Sequence, residues 1–257
     1  MPHIDPRSVV ADGAELAEDV VIGPFCVVGP QVRIGAGTVL KSHVNLDGNT
    51  HIGAGCVIWP FASVGAQTQD LKFKGGDPGV RIGDGTTLRE YVTVNAATFD
   101  GDFTRVGNRC HIMAYSHVAH DCVVGDEVIM ANAATLAGHV RVEDQAIIGG
   151  VTGVHQFVNI GRLSITGGCS KVVMDVPPFM TADGNPLEVR GINKIGLERH
   201  AVSAETIRSL KEAYRLLYRK KMAVKEMVAA MRDTLPPSPE LQHLETFLLA
   251  SDRGITR

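Results

Sequence analysis

The sequence predicts a mainly β fold: a solenoid of short parallel strands followed by a smaller α-helical region. An aliphatic residue recurs every six positions, from Ile4 through Val10, Leu16, Ile22, Val28 and Ile34 to Leu40, Leu46, Ile52, Ile58 and Val64. The register resumes at Ile82, Leu88 and Val94, then runs unbroken from Val106 to Val172. A period of six is neither helical nor strictly alternating, and marks strands stacked coil upon coil. Glycine often follows the aliphatic position (23, 29, 35, 53 and 65), where the chain turns tightly between strands. Aromatic residues make up 5% of the chain, as suits a narrow prism filled by its own aliphatic stack.

Three hexads would close a triangular coil of roughly 18 residues. Two stretches leave the register, 67–79 (QTQDLKFKGGDPG) and 99–104, and read as ejected loops. Such loops usually serve binding. The strict register stops at Asp175-Val176-Pro177-Pro178, where two prolines remove ladder donors. A connecting segment to about Val202 straddles the expected boundary between a solenoid domain, 1–190, and a helical domain, 191–257. Ser203 is placed to cap a first helix carrying Ile207, Leu210, Tyr214, Leu217 and Tyr218. A second helix is expected over Lys225 to Arg232. A third starts at Ser238-Pro239 and runs to about Ala250. Helices over the last coil would cover a sheet edge.

A net charge of −3 gives no reason to expect nucleic acid as a partner. The charge is unevenly placed: 191–257 holds 12 Lys+Arg against 8 Asp+Glu. Lys211, Arg215, Arg219, Lys220, Lys221 and Lys225 form its basic stretch. No run approaches the ~20 apolar residues of a membrane span. The N-terminus lacks a signal-peptide pattern, so a cytoplasmic protein is expected. Cys26, Cys56, Cys110 and Cys122 each fall four residues after the hexad aliphatic position, a slot otherwise filled by small residues. They read as buried structural thiols.

Five histidines (111, 117, 120, 139 and 155) fall between Arg105 and Val172, and stacking can gather such residues into one patch. The segments His117-Val118-Ala119-His120-Asp121-Cys122, Leu136-Ala137-Gly138-His139, Val154-His155-Gln156-Phe157, Gly167-Gly168-Cys169-Ser170 and Asp175–Pro178, with Gln69-Asp70-Leu71-Lys72, carry a specific resemblance. In this order they closely resemble the UDP-N-acetylglucosamine O-acyltransferase family over the whole chain.

That resemblance implies a left-handed parallel β-helix of hexapeptide repeats, a homotrimer and active sites between subunits. It also implies transfer of a 3-hydroxyacyl group from acyl-carrier protein to the 3-position of UDP-N-acetylglucosamine, the first step of lipid A biosynthesis. The enzyme itself would bind no cofactor or metal; the 4'-phosphopantetheine is carried by the donor. By resemblance His120 is the general base, Asp121 its partner and the Gly138 N–H the oxyanion donor. Histidine suits a base acting near neutral pH. Asp121 follows His120 directly, although neighbours on a strand point to opposite faces. Asp70, Lys72, His117, His139, His155, Gln156, Asn193 and Arg199 match substrate-binding positions. Gly168 and Lys171 match positions that limit the acyl chain. His3, His43, His51 and His111 read as solvated face residues.

The chain departs from the family at Asn95-Ala96-Ala97-Thr98, where many members carry His-Arg-Gly-Thr, and at Ile195 and His200 near the nucleotide positions. Relatives that acylate a 3-amino sugar remain a second reading. A third is a zinc-dependent β-helix carbonic anhydrase using His117, His120 and His139, although the spacing does not suit that family. A non-catalytic solenoid would show regular polar ladders, which the irregular outward residues do not.

Overall fold

A computed structural model describes residues 1–220 and 222–257. The hexads form a left-handed parallel β-helix of two- to four-residue strands on three faces. The first face starts at His3–Ile4, Val21–Ile22 and Val39–Leu40; the second at Val9–Val10, Val27–Val28 and Asn45–Leu46; the third at Glu15–Leu16, Arg33–Ile34 and Asn49–Ile52. Within a two-residue strand the first side chain points out and the second points in. The inward stack is essentially closed to solvent, from Ile22, Leu40 and Ile58 to Leu88, Ile112, Met130 and Ile148, each at 0–1% exposure. That burial is the main stabilising term, and each such side chain contributes about 1.5–3 kcal/mol.

The slot four residues after the aliphatic position also points inward, and several of the polar side chains that fill it bond a carbonyl of the next coil. Thr38 Oγ1 donates to the Gly53 carbonyl at 2.8 Å and Cys26 Sγ to that of Lys41 at 2.8 Å. Cys56, Cys110 and Cys122 do the same. Burial pushes the Cys110 thiol up to about 11 and that of Cys122 up to about 12, so neither is a thiolate near neutral pH. Cys169 alone is exposed.

At most corners one residue takes positive φ, and many of these are not glycine. The corner between the first and second faces carries Phe25, His43, Phe61, Tyr91 and Tyr115, with successive ring centroids 4.8–5.0 Å apart. The left-handed conformation costs an ordinary residue about 1–2 kcal/mol. Ring pairing returns about 0.5–1.5 kcal/mol per pair. His43 is thus an exposed link in an aromatic ladder, solvent-facing as expected. His111 differs from expectation. It lies half-buried in the outward row of the first face with Val39, Val57, Ile129, Ile147 and Ile165.

The prolines do not end the first face. Met180–Asp183 adds in parallel to Ile165–Thr166 and pairs antiparallel with Glu188–Ile192, forming a terminal hairpin that the hexad register does not announce. A short helix, α1 (Lys194–Arg199), follows. Then come α2 (Ala204–Tyr214), a π-helical turn at Arg215–Arg219, α3 (Val224–Thr234) and α4 (Pro239–Ala250). Ser203 and Ser238 cap α2 and α4 as expected. The expected basic stretch is divided: Lys211 lies on α2, Arg215 and Arg219 on the π turn and Lys225 on α3, while Lys221 lies outside the described residues. The helices do more than cover the last coil. α4 lies along the third face, where His243 Nε2 sits 2.8 Å from Glu143 Oε2.

Candidate active site

Both ejected loops leave from the corner between the second and third faces. The first joins Ser63–Ala66 to Gly79–Ile82 and the second joins Thr93–Asn95 to Phe103–Val106. His120, Asp121, His139 and Phe157 occupy the same corner in the following coils, so stacking gathers loops and histidines as the sequence suggested.

His120 and Asp121 sit in the turn after His117–Val118, not on the strand. Asp121 takes φ 60°, which breaks strand alternation and brings its carboxylate to the imidazole. His120 Nδ1 lies 2.7 Å from Asp121 Oδ2 and 3.0 Å from Thr98 Oγ1. The strand-based objection to this pair therefore does not apply. The Thr98 N–H donates to Asp121 Oδ1 at 3.2 Å, and Thr98 Oγ1 is 3.3 Å from Thr68 Oγ1. The Asp121 N–H donates to Thr104 Oγ1 at 2.9 Å. Burial pushes the Asp121 carboxyl up, but hydrogen bonds from His120 and Thr98 outweigh it and hold the group below its ordinary range. An ionised Asp121 requires the proton on His120 Nδ1, which leaves Nε2 free to accept one.

Nε2 faces Gly138. A Cβ built there would lie 2.5 Å from Nε2 and closer still to Cε1. It is the His120 imidazole that demands glycine at this position. Elsewhere the corresponding turn slot holds Pro24, Pro30 or Pro60, which have no N–H, so the ladder does not use a donor there. The Gly138 N–H donates to no group among the described residues.

His139 Nε2 lies 3.7 Å from Asp121 Oδ2, its ring edge-on to His120 and stacked on Phe157 at 4.6 Å. His120, Asp121 and His139 place donor atoms within 4.8 Å of one another. His117, counted as a zinc ligand in the carbonic anhydrase reading, is outside this group. It points out from the second face, 2.7 Å from Thr93 Oγ1. Burial, and then neighbouring His120, push its pKa down, so it is neutral near pH 7.

The remaining positions divide. Asp70 Oδ1 accepts from the Lys72 N–H at 3.0 Å, and the Asp70 N–H donates to Thr68 Oγ1, tying the first loop to Thr98. Lys72 lines a hollow of about 330 Å³ with Thr98 and Phe99 of the second loop. His155 and Gln156 are exposed beyond the next strand. Asn193 lies at the start of α1. It is buried at 5% exposure, caps α1 through Oδ1 to the Gly196 N–H at 2.9 Å and donates to the Leu163 carbonyl at 2.8 Å, so its amide is engaged internally. Arg199 is exposed at the end of α1. Lys171 ends the outward row His117, Thr135, Gly153, Lys171 on the second face, about 14 Å along at ~4.8 Å per strand. Gly168 stands at that face's other corner, where a Cβ would meet the Gly150 carbonyl at 3.3 Å. Thr68 and Thr98 were not singled out from the sequence. The available signal was that Thr98 is the one residue of Asn95-Ala96-Ala97-Thr98 shared with the family pattern.

The coil architecture and the corner that gathers His120, Asp121 and His139 define a hexapeptide-repeat transferase. The bacterial transferase hexapeptide model matches residues 13–48 and 103–138, and a model described as UDP-N-acetylglucosamine O-acyltransferase, domain 2, matches 175–256. An acyl-[acyl-carrier-protein]–UDP-N-acetylglucosamine O-acyltransferase from Thermodesulfovibrio yellowstonii is 48% identical over 258 residues, covering 100% of both chains. LpxA from Acinetobacter baumannii superimposes with a TM-score of 0.96 at 41% identity, covering 99% of each chain. LpxA from Bacteroides fragilis gives 0.97 at 35%, covering 99% of this chain and 100% of that one. The chain belongs to the UDP-N-acetylglucosamine O-acyltransferase family.

Proposed function

We propose that this chain transfers a 3-hydroxyacyl group from acyl-carrier protein to the 3-hydroxyl of UDP-N-acetylglucosamine, the first step of lipid A biosynthesis. The observation that carries the mechanism is His120 held through Nδ1 by Asp121, with Nε2 facing the unbonded N–H of Gly138. His120 Nε2 takes the sugar hydroxyl proton as the oxygen attacks the thioester carbonyl. The resulting oxyanion accepts from the Gly138 N–H. Collapse expels the thiolate of the donor's phosphopantetheine arm, and the imidazolium returns its proton to that sulfur. The second-face row from His117 to Lys171 supplies a track for the acyl chain, ending near Gly168. Asp70, Lys72, His139, His155, Gln156 and Arg199 are proposed to hold the sugar nucleotide and the thioester arm. Asn193 serves by fixing α1, which presents Arg199.

Three copies assembled through the apolar outward row of the first face would cover side chains that a lone chain leaves half-exposed. Among the described residues no helix is long and apolar enough to cross a membrane, and the five cysteines are free. Free thiols fit the reducing cytoplasm, where we place the activity.

His120→Ala should fold, assemble and lose about 10²–10⁴ in kcat. His51→Ala, on the third face, should stay within twofold of wild type. Retention of a tenth of the activity by His120→Ala would remove it as the base. Loss of activity on chelation, restored by zinc, would favour the metal reading of the His120, Asp121 and His139 group.

A further inference from the structure

We propose that Arg253 is a positioning residue that holds His155 in the tautomer with its proton on Nε2. The segment after α4 doubles back onto the solenoid. The Asp175 N–H donates to the Gly254 carbonyl at 3.0 Å, and the Asp175 carbonyl accepts from the Thr256 N–H at 2.7 Å. The Asp175 carboxylate, at 0% exposure, accepts from Ser251 Oγ at 2.7 Å and from the Asn159 N–H at 2.8 Å. Between these clamps, Arg253 Nε and Nη2 donate to the Val173 carbonyl at 3.3 and 3.2 Å.

So placed, Arg253 Nη2 lies 3.3 Å from His155 Nδ1. A guanidinium offers only donors and keeps its charge, so Nδ1 must present a lone pair to it. The Gln156 carbonyl oxygen, 3.1 Å from the same Nδ1, asks for the opposite: it accepts only if Nδ1 carries the proton. A charge-assisted hydrogen bond is roughly twice as strong as a neutral one. Arg253 therefore decides the contest, and Nε2 carries the proton. His120 is in the opposite tautomer, fixed by an anion at Nδ1 as His155 is fixed by a cation. One histidine accepts a proton, while the other donates a hydrogen bond. On the acyl-transfer reading, on which this consequence rests, His155 supplies an N–H to a substrate oxygen and does not compete as a second base.

Long-range proton–nitrogen NMR of the substrate-free full chain reads the tautomer directly, with His155 assigned by its loss in His155→Gln. Wild type should show Nε2–H. Arg253→Ala should switch to Nδ1–H, bonded to the Gln156 carbonyl, and lose about tenfold in kcat/KM, the size of one lost hydrogen bond. Arg253→Lys, which keeps a charged donor, should retain both. A wild-type His155 protonated on Nδ1 overturns the proposal without any variant. An unchanged tautomer in folded Arg253→Ala, or a switched tautomer with unchanged kcat/KM, overturns it as well. If the tautomer switches but the wild type transfers no acyl group to UDP-N-acetylglucosamine, the Arg253 assignment stands and the acyl-transfer reading falls.

Discussion

Gly138→Ala isolates the geometry of the proposed base, His120. Alanine keeps the main-chain N–H, and the backbone at 138 is outside the positive-φ set, so neither the proposed oxyanion donor nor local folding is directly removed. The added carbon would sit 2.5 Å from His120 Nε2, where ordinary contact begins at 3.4 Å. The imidazole must therefore retreat by about 1 Å, and a displacement of that size at a reacting atom costs on the order of 10² in rate. The retreat also strains the 2.7 Å contact with Asp121. The imidazole is a movable side chain, so the folding penalty should be about 1–2 kcal/mol, a fall in Tm of a few degrees. Steady-state kinetics with acyl-carrier protein donor and UDP-N-acetylglucosamine, beside a thermal melt and calorimetric titration of the sugar nucleotide, separates these effects. The expected pattern is kcat down about 10² with nucleotide affinity within threefold. A variant that keeps a third of the wild-type kcat would show that Nε2 does not act from where the structure places it.

Three further outcomes follow from the corner, the π turn and the acyl track. Asp121 is held below the ordinary carboxylate range, so its contribution to stability is complete above about pH 4 and is lost as pH falls through the lowered folded value. Asp121→Asn should thus melt with a shallower acid-side decline while losing about 10² or more in kcat at pH 8; an unchanged acid-side slope contradicts the assignment. Reversing charge at Arg219 and Lys220, both exposed, should raise the donor KM several-fold and flatten its salt dependence without altering sugar-nucleotide affinity, and donor kinetics unchanged across a salt series would count against this surface. Gly168→Met should move the preferred donor from about twelve to fourteen carbons toward shorter chains, because each excluded methylene forfeits roughly 0.8 kcal/mol, and an optimum that stays put across a donor ladder means the chain does not reach this corner.

The solenoid was legible because its cause repeats: an aliphatic residue every six positions can be counted without knowing where the coils lie. The proposed base was legible because His120 and Asp121 are adjacent in sequence and carry a family pattern. Thr98 was not, because its contact spans 22 residues and depends on an ejected loop returning to the corner it left. Arg253 was further out of reach: its contact with His155 spans 98 residues and exists only because a buried carboxylate draws the segment after α4 back. The expected pairing of Asp121 with His120 is met, and strand alternation is no obstacle to it because the positive φ of Asp121 places it in a turn. Asn193 resembles a substrate ligand, and the structure adds that its amide caps α1, a role that a sequence pattern alone does not separate from contact with substrate.

The aromatic corner ladder addresses a hazard peculiar to stacked identical modules. Every coil buries nearly the same aliphatic filling, so a chain that skips one coil during assembly loses little core energy, and the interior alone is close to degenerate with respect to such errors. The corners are not degenerate. Rings run from Phe25 to Tyr115 and then give way to Ala133 and Val151, which occupy the same slot with positive φ. Skipping a ring-bearing coil would forfeit one ring pair, about 0.5–1.5 kcal/mol. It would also move Asp121 and His139 out of step at the neighbouring corner. The rings thus act as an address code written along one edge, making the assembly that completes the reaction centre distinguishable from its near-copies.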